Sequence, residues 1–119
     1  MTTHPAKHNL YVYRGATFAE AISWKDENGV PIDLTGFTAR MHMRETVEAS
    51  TPFLALTTEN SGITLGGVAG TINILATAAA TSAITATGGV YDLEIVAGDT
   101  ITVTRLLEGL VFISPEVTR

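Results

Sequence analysis

A chain of 119 residues, 45% apolar and only 16% charged, has room for one ordinary domain and enough apolar side chain to build its core, so a second domain and a disordered tail are both excluded. Its net charge of −5, with seven Lys and Arg spread along the chain, leaves no basic surface to neutralise several phosphates, which argues against nucleic-acid binding. Cysteine is absent, which removes disulfides, thiolate zinc sites and thiol nucleophiles, and no apolar run approaches the roughly 18–20 residues of a membrane-spanning helix.

Residues 1–8 carry no periodicity and are expected to form a flexible arm, with a single domain over 9–119. In Leu10–Arg14 apolar and amphipathic side chains fall on both faces, Leu10 and Val12 against Tyr11 and Tyr13. That pattern suits a strand covered on both sides or lying at an interface, and Leu10, Tyr11, Val12 and Tyr13 are the candidate partner-contact residues. Phe18, Ile22 and Trp24 alternate with small residues, which predicts a strand over 17–25. Glu20 violates its alternation and is expected at a strand end or a bulge.

Asp26-Glu27-Asn28-Gly29 predicts a hairpin turn, because Asn and Gly tolerate positive φ, and Pro31 then confines Val30–Leu34 to a sheet edge. The clearest period of two follows: Phe37, Ala39, Met41 and Met43 point one way, Thr38, Arg40, His42 and Arg44 the other. Residues 45–51 read as a loop, and short strands are expected over 53–58, 63–65 and 71–76. An Ala-rich stretch free of Gly and Pro, opened by Thr77 as a cap, predicts one short helix around 77–85. Val90–Val96 alternates again, and 101–114 is long enough for one bent strand or two, with a break expected near Gly109. The sum is an all-β fold, a single antiparallel β-sandwich, with Trp24, Phe37, Met41, Leu93 and Phe112 as the expected core.

The residues that carry chemistry are few. Two of the three histidines, His4 and His8, fall in the N-terminal arm, and His42 lies on a wet strand face between two arginines. His42 and Glu45 have a ligand-like spacing, but on a strand that spacing sends them to opposite faces. Asp92 and Glu94 share a face, with Glu108 as a candidate cross-strand neighbour and Arg105 nearby; the expected role is a solvated, charge-paired surface rather than an acid and base pair. Gly66, Gly67 and Gly70 precede a strand instead of a helix, so they form a turn and no phosphate loop. Asp26, Glu27 and Asp33 match no EF-hand spacing. No catalytic residue, cofactor site or metal site is therefore assigned, and a carbohydrate-binding or carbohydrate-active role is disfavoured because the one tryptophan reads as inward-facing.

Four strings together resemble a group of small tailed-phage and prophage virion proteins: L-Y-V-Y-R-G-A-T-F, then W-K-D-E-N-G-V-P-I-D-L-T-G-F-T-A-R, then T-E-N-S-G-I-T-L-G-G-V-A-G-T-I, and the closing E-G-L-V-F-I-S-P-E-V-T-R. The resemblance runs from Leu10 to Arg119. The Asp33-Leu34-Thr35-Gly36 segment is also similar to the N-terminal Ig-like domain of baseplate upper proteins. This implies a non-enzymatic structural component of a phage particle, assembled in the host cytoplasm. It would be an adaptor at the tail tip or baseplate or, alternatively, a capsid decoration protein. Its partners would be other tail or capsid proteins and further copies of itself, with no nucleic acid and no membrane.

Overall fold

The computed structural model describes residues 5–118. The chain forms β1 (Ala6–Lys7), β2 (Leu10–Tyr13), β3 (Phe18–Ser23), β4 (Thr38–Arg44), β5 (Leu54–Thr57), β6 (Ile63–Leu65), β7 (Thr71–Ala76), α1 (Ala78–Ser82), β8 (Gly88–Val96) and β9 (Val103–Ser114). A large sheet has the order β1-β9-β8-β4-β5, with β2 also on β9, and faces a small sheet, β3-β7-β6. The all-β sandwich expected from the alternating patterns is the observed fold.

The pairing is not wholly antiparallel. Both β1 and β2 run parallel to β9, with Ala6 opposite Leu107 and Leu10 opposite Val111. The antiparallel sandwich thus has two parallel exceptions, β1 and β2, and the expected flexible arm is corrected over residues 6–8. Residues 6–8 are tied to the sheet, His8 donating its N–H to the Glu108 carbonyl at 3.0 Å, and residues 1–4 lie outside the described part. Two residues of strand and one polar kink carry no legible period, and the partner is about a hundred positions away in the chain. Local pattern therefore could not reveal them.

The core lies between the sheets. Ala39, Met41 and Met43 of β4, Leu93 and Ile95 of β8, and Leu10 and Val12 of β2 meet Ile72 and Ile74 of β7. The period of two through residues 37–44 is thus realised as one buried and one wetter face. Trp24 and Phe37 pack against this core while partly exposed, and Met41 and Leu93 are fully within it. Phe112 is not: it stands on the outer face of the large sheet. A bulge shifts the register of β9 on β8, so that Leu93 pairs with Leu107 but Glu94 with Arg105, leaving Leu106 as the extra residue. The irregularity in β9 falls there rather than at Gly109.

Glu20 sits mid-strand, opposite Ile74 with no break in register, on the side of Phe18 and Ile22. The expected strand end or bulge is not observed. Since β3 is an edge of the small sheet, a carboxylate pointing toward the interior makes that edge a poor template for another strand. Its charge reaches Tyr91. Burial first, and then Glu20, push the Tyr91 hydroxyl up to about 12, while that hydroxyl donates to the His8 carbonyl. A group held neutral by the fold contributes stability that is fully present below its ordinary value of 10.0 and is lost as the pH rises through about 12. Tyrosinate absorbance in an alkaline titration is expected to show one ring ionising near that upper value, together with loosening of the N-terminal strand. Tyr91→Phe should abolish the late-ionising ring.

The expected helix is shorter, Ala78–Ser82, and Thr77 does cap it, accepting a hydrogen bond from the Ala80 N–H at 3.1 Å. Thr81 is fully buried. Its hydroxyl donates to the Ala16 carbonyl at 2.8 Å and accepts from the Gly15 N–H at 3.1 Å, anchoring the helix to the turn between β2 and β3. Asp26 closes the hairpin turn, its Oδ1 accepting from the N–H groups of Asn28 and Val30, and Gly29 alone takes positive φ there. The hairpin shrinks to a single bridge, Lys25 opposite Pro31.

Candidate functional site: the outer face of the large sheet

Alternation on β4, β8 and β9 sends one set of side chains into the core and the other onto a shared outer surface. There the register assembles two cross-strand rows. Arg40 lies opposite Glu94, which lies opposite Arg105; His42 lies opposite Asp92, which lies opposite Glu108, itself opposite Lys7 of β1. These rows floor an open concavity of about 780 Å³ that also includes Asn9, Arg44, Val47, Val90 and Leu110.

The charges are already satisfied by one another. Arg40 Nε donates to Glu94 Oε1 at 2.8 Å, Arg105 lies 3.5 Å from Asp92 and 3.4 Å from Glu108, and Lys7 pairs with Glu108. The hydrogen bond from Lys7 is the first cause that holds the Glu108 carboxyl below its ordinary range, with Arg105 assisting. Asp92 goes the other way: desolvation and then the negative charge of Glu94 raise it, partly offset by Arg105 and His42. Arg44 Nη2 lies 3.3 Å from His42 Nδ1, and because a guanidinium has only donors, Nδ1 is the acceptor of that contact.

This arrangement brings together Asp92, Glu94, Arg105 and Glu108 as the strand pattern expects, and it adds His42, set opposite Asp92, which sequence reasoning had not placed beside them. Nothing in either local segment encodes that register, which depends on how β4 docks beside β8. Glu45 lies beyond the end of β4 and exposed. The carboxylates are engaged in a ladder of ion pairs on an open sheet face, where such pairs are individually worth about 0–1 kcal/mol. Such a ladder builds a pre-ordered polar surface. Among the described residues no group of three or more His, Asp or Glu is placed to hold a metal ion. Asp26 and Asp33 spend their oxygens on their own turns, Asp33 held low by the hydroxyl and N–H of Thr35.

Farther along the strands the same face turns apolar. Leu110 is 47% exposed, Phe112 43%, Tyr11 57% and Tyr13 62%. Tyr11 and Phe112, opposite each other on β2 and β9, stack with centroids 5.3 Å apart and planes 19° apart. Of the four candidate contact residues, Tyr11 and Tyr13 are therefore available. Leu10 and Val12 are not: they face the interior at 1% and 0% exposure, because a strand on a sandwich edge must send alternate residues into the core. Three aromatic rings, Tyr11, Tyr13 and Phe112, therefore stand on this face.

No protein-family model matches the sequence, and no curated protein matches it. Among solved structures the chain is similar to the extracellular domain of the voltage-gated sodium channel β4 subunit, with a TM-score of 0.51 and 10% identity over 98% of each chain. That domain forms parallel homodimers and has a role in cell–cell adhesion. The chain is also similar to the NK cell receptor Nkp44, a triggering partner in natural cytotoxicity, with a TM-score of 0.52 and 10% identity over 94% of this chain and 100% of that one. At such identity the likeness establishes the fold, an Ig-like β-sandwich.

Proposed function

We propose that this chain is a non-enzymatic assembly module of a tailed-phage particle, placed at the tail tip or baseplate, and that it meets its neighbours through the outer face of the large sheet. The observation that carries the contact role is the strip of Tyr11, Tyr13, Leu110 and Phe112. Four large apolar side chains side by side on a sheet, bordered by a polar rim, have the composition of an interface. The surrounding ion pairs engage Asp92, Glu94 and Glu108 with Arg40, Arg105 and Lys7, which supports a binding role, as does the likeness to receptor and adhesion domains. The placement in a virion rests on the sequence resemblance from Leu10 to Arg119. The stacked pair Tyr11 and Phe112 turn one ring face toward each other, which makes the strip a better protein contact than a platform for sugar rings.

Cross-linking mass spectrometry on purified particles tests the reading. Links from Lys7, which borders the face, to tail or baseplate proteins are the expected result. Links to the major capsid protein would assign the chain to capsid decoration instead, and absence of the chain from the particle would remove the virion role.

A further inference from the structure

We infer that Asn60 holds shut a strand-accepting edge of the large sheet at β5, and that the segment this edge fits is the same uncharged strand of a second copy. The β5 edge lies on the far side of the large sheet from the aromatic strip, so its state is independent of what the strip contacts.

Strand β5 ends the large sheet and pairs on one side only, with β4. In an antiparallel pair the backbone groups of successive residues turn alternately toward the neighbour and away from it. The Thr58 N–H bonds to the Ala39 carbonyl at 3.0 Å and Leu56 lies opposite Met41, so the backbones of Ala55 and Thr57 face away from β4. Those outward groups are the ones a further strand would bind. Asn60 takes two of them: its Oδ1 accepts from the Thr57 N–H at 2.8 Å, and its Nδ2 donates to the Ala55 carbonyl at 2.9 Å. A carboxamide offers the same donor and acceptor as a peptide group, so one side chain stands where the backbone of an added strand would lie.

The turn after β5 keeps that side chain in place. The Asn60 N–H donates to Thr57 Oγ1 at 3.0 Å, and Oδ1 accepts a second bond from the Gly62 N–H at 2.9 Å. Ser61, between them, takes a positive φ of 66°. A Cβ on Gly62 would lie 2.8 Å from Asn60 Oδ1 and 2.8 Å from Leu56 Cδ2, so the chain closes tightly over the edge. What it covers is suited to self-pairing. Phe53–Thr58 contains no charge and no Pro, the composition of segments that add to their own kind. In a chain of net charge −5 most segments of a second copy bring like charge, and this one brings none. The β3 edge is guarded by the inward carboxylate of Glu20, whereas β5 has no charge of its own and relies on Asn60.

Hydrogen exchange and sedimentation velocity on the full chain and on Asn60→Ala test the inference. In the wild type the Thr57 N–H is expected to exchange slowly although no strand lies beside it. Asn60→Ala is expected to speed that exchange by about tenfold at low concentration, the effect of losing one hydrogen bond. At high concentration the same variant is expected to self-associate, with new protection at the Ala55 N–H, which points to the same free side. Asn60→Asp keeps an acceptor for Thr57 and puts a charge on the edge, so it is expected not to associate. An Asn60→Ala chain that folds and stays monomeric at every concentration overturns the inference, and so does association that leaves Ala55 and Thr57 unprotected. Equal association of Asn60→Ala and Asn60→Asp overturns it as well, since that marks general loosening instead of an opened edge. Should Asn60→Ala fail to fold by circular dichroism, Asn60→Ser takes its place: a Thr57 N–H that is slow in the wild type and fast in Asn60→Ser supports the closed edge, and fast exchange in the wild type overturns it.

Discussion

Leu93→Ala is expected to lower the unfolding free energy by about 2–5 kcal/mol. Leu93 is 0% exposed in the middle of β8, the strand flanked by β4 and β9, with Met41 and Leu107 as its cross-strand neighbours. Strands pair with β8 on both sides, with a bulge on the β9 side just after Leu93, so the surroundings cannot collapse freely into the vacated space and most of the cavity term is retained. In a domain of this size the loss corresponds to a fall in Tm on the order of 10 °C. Urea unfolding checks it, the midpoint falling while the slope stays unchanged. Phe112→Ala is the contrasting control: a larger side chain is removed, but from the outer face, and the expected loss is clearly smaller than for Leu93. An equal loss for the two would contradict the assignment of Phe112 to the surface.

Gly109→Ala is expected to destabilise by about 1–3 kcal/mol, with the damage concentrated at the N-terminus. A Cβ at this position would overlap the His8 carbonyl oxygen and lie 3.1 Å from Asn9 Oδ1. Those atoms belong to the kink between β1 and β2. The His8 carbonyl accepts from the Tyr91 hydroxyl, and Asn9 Oδ1 accepts from the Leu110 N–H at 3.1 Å. The added methyl must push this kink away from β9, and the two parallel bridges of β1 are the weakest attachment along that edge. Hydrogen exchange is expected to show loss of protection at residues 6–9 while the β4–β8–β9 ladder stays protected. Wild-type protection at the N-terminus in Gly109→Ala would mean that the kink is not held by this close approach.

Both expectations bear on the outer face, because the position of β2 decides what that face is. If β2 had crossed to pair with β3, Tyr11 would not stand beside Phe112, and the apolar strip would be divided between two sheets. The parallel pairing of Leu10 with Val111 and Tyr13 with Ser114 places the tyrosines at the edge of the charged ladder. The exposed aromatic strip thus depends on a strand of four residues held by a partner at the far end of the chain.

What the sequence determined by itself was whatever has a local cause. The sandwich follows from period-two runs such as 37–44 and 90–96, whose buried and exposed faces are set by which side chains water rejects. The turn at Asp26–Gly29 and the cap at Thr77 follow from side chains that satisfy backbone groups two to four residues away. Tertiary structure alone decided which neighbours each strand would have. Register between β4 and β8 put His42 opposite Asp92, and a bulge at Leu106 set Arg105 opposite Glu94. The parallel docking of β2 turned Tyr11 and Tyr13 outward beside an aromatic, Phe112, that had been expected in the core. Pairing of strands distant in the chain is settled by the total burial and hydrogen bonding of the assembled sheets, which no single segment encodes, and the candidate site is made of such pairings.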